Sequence, residues 1–113
     1  MHEVSLMAAT VRIATDAARK VGAKRITCLK LRIGTLSSVV PAAMRFAWEV
    51  ASRDTIAEGA RLEIETVSAS SWCPLCLLEF RGADFVNECP RCHALSGELR
   101  RGRELEIVSV ETN

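Results

Sequence analysis

Tyrosine is absent from this 113-residue chain, and aromatic residues of all kinds make up 4% of it. There is no excess of either charge sign: 15 basic and 14 acidic side chains leave a net charge of +1. A nucleic-acid binder normally shows a basic stripe, often with aromatics to stack on bases, so the charge balance gives no electrostatic case for that class. No apolar run approaches the roughly 20 residues needed to span a bilayer. The start, Met1-His2-Glu3-Val4-Ser5, has neither a basic region nor a long apolar stretch, so no signal peptide is expected. The expected compartment is the cytoplasm, where thiols stay reduced. Proline occurs three times, and two of the three stand inside cysteine pairs.

Those pairs are the strongest signal present. Cys73-Pro74-Leu75-Cys76 and Cys89-Pro90-Arg91-Cys92 are separated by twelve residues. Each Cys-x-x-Cys makes a tight turn that aims two sulfurs at one point, and a hairpin between the pairs brings the two turns together around a tetrahedral zinc ion. Four thiolates leave no open coordination position, so such a site is structural. It carries a local charge of −2, which Arg81, Arg91, Arg100 and Arg101 are near enough in sequence to offset, as are turn amides donating to sulfur. Two other readings of the quartet are a ribbon that docks on transcription machinery and a redox dithiol. His93 follows Cys92 directly and is either an outer neighbour of the site or a pH-dependent substitute ligand. The fifth cysteine, Cys28, lies far away on the charged face of a strand, with no histidine partner, and reads as a bystander.

Hydrophobic periodicity organises the rest. Residues 4 to 21 predict an amphipathic helix with Leu6, Ala9, Ile13, Ala17 and Val21 on its inner stripe, stopped by Gly22. Thr27, Leu29, Leu31 and Ile33 alternate with Cys28, Lys30 and Arg32, predicting a strand ended by Gly34. Ser37, Ser38 and Pro41 supply start chemistry for a second helix that runs to about Ser52 with Met44, Ala47, Trp48 and Ala51 inward. Leu62 and Ile64 mark a second strand. Leu105 and Ile107 mark a third, whose apolar phase shifts near Ser109. The expected fold is α+β: two helices on a three-stranded sheet formed by 1–69 and 100–113, with a zinc-ribbon-like module at 70–99 inserted before the last strand. A module of roughly 30 residues has too little core to fold alone, so metal must supply most of its stability.

Met1-His2-Glu3 offers a second chelating set. A free α-amine, backbone amide nitrogens and an imidazole can close fused rings around one ion, and four nitrogens in a plane suit Ni(II) or Cu(II) rather than zinc. The plainer reading is that His2 and Glu3 simply open a helix, where Glu3 suits the macrodipole.

Several segments together resemble the HypA/HybF family of hydrogenase nickel-incorporation proteins. They are Met1-His2-Glu3-x-Ser5, Ile33-Gly34-x-Leu36-Ser37, Arg45-Phe46-Ala47, Gly59-Ala60-x-Leu62-Glu63-Ile64, the cysteine quartet and Gly102-Arg103-Glu104-Leu105-x-Ile107. The resemblance runs the full length and implies a nickel metallochaperone for [NiFe]-hydrogenase maturation. It implies Ni(II) cargo bound through Met1, His2 and Glu3, and structural Zn(II) on Cys73, Cys76, Cys89 and Cys92. The partners it implies are a HypB-type nickel GTPase and the hydrogenase large-subunit precursor. Some members carry a histidine two residues after the second cysteine, where this chain has Leu78, which leaves His93 for any such role. No acid–base pair, triad or phosphate loop is evident, so metal transfer without catalysis is expected. Neither nucleic acid nor membrane is expected as a partner, and a homodimer stays open.

Overall fold

The computed structural model describes residues 2–113, and the chain divides into two units. The larger, helical unit takes in the chain up to residue 32 together with Val39–Glu65 and Glu106–Asn113. Its first element, α1, spans His2–Lys20. Glu3 in the first turn and Arg19 and Lys20 in the last complement the helix dipole. Gly22, at φ +73°, closes α1 as expected: its N–H donates to Arg19 O at 3.0 Å, and that of Ala23 donates to Ala18 O at 3.0 Å. That pair of bonds is a Schellman cap, which needs a left-handed residue that only glycine adopts without cost.

The inner face of α1 differs from the one periodicity suggested. Met7, Val11, Ala14 and Ala18 are buried, while Ile13 is 58% and Val21 75% exposed. Two apolar rows run along this helix one residue apart, and both satisfy the 3.6-residue period. The row of Met7, Val11, Ala14 and Ala18 is the one buried.

Strand β1, Ile26–Gly34, and helix α2, Pro41–Ala51, complete the centre. Leu29 and Leu31 are essentially inaccessible, as are Met44 and Ala47, and Trp48 is buried with its indole N–H donating to Ala60 O at 3.2 Å. Burying a leucine side chain stabilises by about 2 kcal/mol. Pro41 opens α2 as its preset φ favours, but the residue before the helix is Val40 and makes no side-chain cap; Ser37 and Ser38 do not serve. Strands β2, Arg61–Val67, and β8, Leu105–Thr112, flank β1 in the order β2-β1-β8. On β8 the half-buried residues Ile107 and Val110 are three apart, so its alternation breaks as the sequence suggested. Exposed charges join neighbouring strands: Arg32 reaches both Glu65 and Glu106 at 3.3 Å. Such solvated pairs contribute about 0–1 kcal/mol each. Cys28, placed by sequence on a charged face, is only 3% exposed, and burial raises its thiol pKa. Among the described residues, no helix is long and apolar enough to cross a membrane.

The ribbon unit comprises Ile33–Ser38 and Thr66–Leu105. Strands β3 (Ser70–Cys73), β4 (Leu78–Arg81) and β7 (Leu99–Arg101) form a sheet in the order β4-β3-β7. Cys73 pairs with Leu78 at the end of the β3–β4 hairpin. The short strands β5 (Asn87–Glu88) and β6 (Leu95–Ser96) make a second hairpin. The unit is tied to Ile33–Ser38 through backbone bonds, Gly34 N–H to Glu104 O at 2.8 Å and Leu36 N–H to Gly102 O at 2.7 Å. The approach is so close that a Cβ on Gly34 would lie 2.2 Å from the Gly102 carbonyl carbon.

Candidate metal centre

Both cysteine pairs sit at hairpin tips, and the two tips have the same construction. In the first, Leu77 N–H donates to Cys73 O at 2.8 Å; in the second, His93 N–H donates to Cys89 O at 2.9 Å. The residue after each second cysteine must then turn left-handed, and Leu77 (φ +55°) and His93 (φ +64°) both do. A non-glycine residue there is strained. The sequence showed two Cys-Pro-x-Cys units but not this requirement on the residue that follows.

The tips bring all four sulfurs of Cys73, Cys76, Cys89 and Cys92 within 4.8 Å of one another. Cys73 and Cys92 Sγ are 3.5 Å apart, and Cys76 and Cys89 Sγ 4.0 Å. A zinc tetrahedron with bonds near 2.3 Å has sulfur–sulfur edges of about 3.8 Å, so the quartet fits the ion with little rearrangement. Turn amides point at the sulfurs. Cys76 N–H donates to Cys73 Sγ at 3.4 Å, and the N–H groups of Cys92 and Arg91 bring the Cys89 thiol down to about 6. Burial, reinforced by the neighbouring thiols, pushes Cys76 up to about 12.

Two of the arginines near the quartet in sequence have carboxylate partners. Arg100 lies over the Trp72 ring at 4.5 Å and pairs with Glu98, and Arg101 pairs with Glu79 at 3.1 Å. Arg91 contributes its backbone N–H to the Cys89 sulfur. His93 is 72% exposed with Nδ1 3.8 Å from Glu88 Oε1, and it is not among the residues whose ligand atoms gather.

At the other candidate site, Met1 lies outside the described residues. His2 begins α1 with its side chain 56% exposed, beside Glu3, whose side chain is 11% exposed. Nε2 of His2 is 3.5 Å from Glu3 Oε2, and the same oxygen accepts from Val40 N–H at 3.4 Å. Hydrogen bonds from its own backbone N–H and that of Val40 hold the Glu3 carboxyl below its usual range, against the opposing effect of burial. No local pattern connects Glu3 with the start of α2.

Comparison with known proteins decides the family. A family model described as "Hydrogenase/urease nickel incorporation, metallochaperone, hypA" matches residues 1–112. The chain belongs to the HypA family. The hydrogenase maturation factor HypA of Picosynechococcus sp. is 44% identical over 111 residues, covering 98% of each chain, and that of Chloroflexus aurantiacus is 42% identical over 113 residues, covering 99% of each. The solution structure of the nickel metallochaperone HypA from Helicobacter pylori overlays with a TM-score of 0.66 at 21% identity, covering 97% of this chain and 96% of that one. A second HypA solution structure overlays with a TM-score of 0.73 at 23% identity, covering 100% and 97%. The α+β fold with its inserted cysteine module is therefore the HypA fold, and the four gathered thiols suit the structural zinc of a HypA protein.

Proposed function

We propose that this chain carries Ni(II) at its N-terminus and hands it on during [NiFe]-hydrogenase maturation, without catalysing a reaction. The ligands are the Met1 α-amine, the His2 imidazole and the amide nitrogens of His2 and Glu3. The observation that carries the reading is a family match that begins at residue 1, combined with an exposed His2 at the first turn of α1. Amides in a first helical turn have no intrahelical acceptor, so nickel can displace their protons without breaking the helix. A planar nitrogen set rejects tetrahedral zinc by shape, and its exposure lets a partner take the ion. Zinc on Cys73, Cys76, Cys89 and Cys92 holds the 70–99 module together; residues 1–69 and 100–113 carry the nickel site. His93 stays outside that coordination set. The partners are a HypB-type GTPase and the hydrogenase large-subunit precursor, and the compartment is the cytoplasm.

Calorimetry on untagged protein tests this. His2→Ala loses Ni(II) binding and keeps its zinc, and an extension ahead of Met1 does the same because it consumes the free amine. A His2→Ala variant that binds nickel as the parent does would refute the reading.

A further inference from the structure

We propose that Asn87 is a positioning residue for the metal centre: its side-chain amide pins the hairpin that carries Cys89 and Cys92 to Ser71 on β3, and so fixes how the two cysteine pairs face each other. This rests on the zinc coordination proposed above and assigns to it a group that supplies no ligand.

The bonds that close each tip are local, Leu77 N–H to Cys73 O and His93 N–H to Cys89 O, so they do not set one tip against the other. Side chains of the second hairpin reach across to β3. Asn87 faces Ser96 in the β5–β6 pair, and both residues bond to β3. Asn87 Nδ2 donates to Ser71 Oγ at 2.9 Å, and Ser96 Oγ donates to the Trp72 carbonyl oxygen. Ser71 stands two residues before Cys73, and Asn87 two residues before Cys89. Residues two apart along an extended chain project to the same side. A bond between Ser71 and Asn87 therefore turns Cys73 and Cys89 toward one point, and these are the two buried members of the quartet.

The amide is itself held in one orientation. Asp84 N–H donates to Asn87 Oδ1 at 3.2 Å, and Asn87 Nδ2 donates to the Asp84 carbonyl oxygen at 2.6 Å. Turning the amide over would set donor against donor and acceptor against acceptor. Gly82 backs it so closely that a Cβ there would lie 2.1 Å from Asn87 Cγ. Ser71 is fully buried, and a buried hydroxyl that loses its partner is left with an uncompensated desolvation. Because the ribbon closes on its metal, what this link contributes appears as zinc affinity.

Substitutions in the full-length protein test the role of Asn87. The readouts are zinc affinity against a chromophoric chelator and the visible absorption of the Co(II)-loaded protein, whose bands follow the shape of a four-sulfur cage. The helical circular-dichroism signal is the folding control. Asn87→Ala should weaken zinc binding by about 10-fold, the order expected when a buried group loses its hydrogen bonds. Ser71→Ala should act in the same direction, and the double variant should bind no more weakly than Asn87→Ala alone, because both changes remove one link. Gly82→Ala, which displaces the amide and leaves every polar group in place, should act like Asn87→Ala. The Co(II) bands should shift in each of these and stay at the parent position in Leu31→Ala, whose lesion lies in the helical unit. Parent-like zinc affinity in Asn87→Ala, single penalties that multiply in the double variant, or Co(II) bands that do not move would each overturn the proposal. If Cys73→Ser abolishes zinc binding while Asn87→Ala leaves it at the parent value, the coordination set stands and only the role of Asn87 falls. If Cys73→Ser binds zinc as the parent does, the coordination set has failed, and the role of Asn87 with it.

Discussion

In the helical unit the interior is made of Met7, Val11, Leu29, Leu31, Met44 and Trp48; in the ribbon unit the buried cluster is Cys73, Cys89 and Phe80, with Cys76 and Leu78 against it. The first list is aliphatic and aromatic surface drawn from three elements. The second consists mostly of cysteines from the gathered quartet. Burial of apolar area can hold the first against chain entropy. It cannot hold the second, whose strands are two to four residues long and whose central atoms are four sulfurs. One chain thus uses two stabilising principles, and each should fail under a different insult.

Removing the metal should produce the largest effect. Zinc bound by a site of this kind is worth on the order of 10 kcal/mol or more to its fold. Chelation, or Cys73→Ser, should open residues 66–105 to protease while the helical circular-dichroism signal of α1 and α2 persists. Retained protection of that segment after zinc loss would erase the distinction between the units. The converse lesion is Leu31→Ala. It should cost about 3 kcal/mol through lost burial and a cavity, seen as earlier melting of helix, with zinc stoichiometry intact. A loss of zinc in that variant would mean that the two interiors are coupled. The smallest expected change sharpens the comparison from within the ribbon. Leu77→Gly and His93→Gly should each stabilise the zinc-loaded protein by about 1 kcal/mol, because a left-handed residue loses its strain when it has no Cβ. Denaturant unfolding of the loaded protein measures it, and destabilisation by either change would show that the side chain contributes more than its backbone costs.

How far the sequence could be read follows the same division. Features set by short-range chemistry were legible. Gly22 stops α1, Leu29 and Leu31 point inward, Met44, Ala47 and Trp48 face the core, and the four cysteines meet. Features set by which of two equivalent choices packs better were not. The α1 sequence offers two apolar rows, and periodicity has no means of ranking them. Thr27 was grouped with the buried face of β1, yet it lies exposed near the strand end, where its hydroxyl donates to Glu111 O. Long-range partners were illegible in principle. Nothing local links Glu3 to Val40, 37 residues away, or sends Arg101 to Glu79 rather than to sulfur.

The route of the chain has a further implication. Residues 33–38 belong with the ribbon although they comprise the end of β1 and the start of the loop to α2, so the polypeptide passes from one unit to the other four times. A gene fragment encoding only the cysteine hairpins would leave behind the stretch that Gly34 and Leu36 contribute. The ribbon is therefore not a cassette that recombination can move by a single cut and paste. Grafting it elsewhere would require two splices in register, and a lineage that inherits the cysteines must inherit the glycine at position 34 along with them.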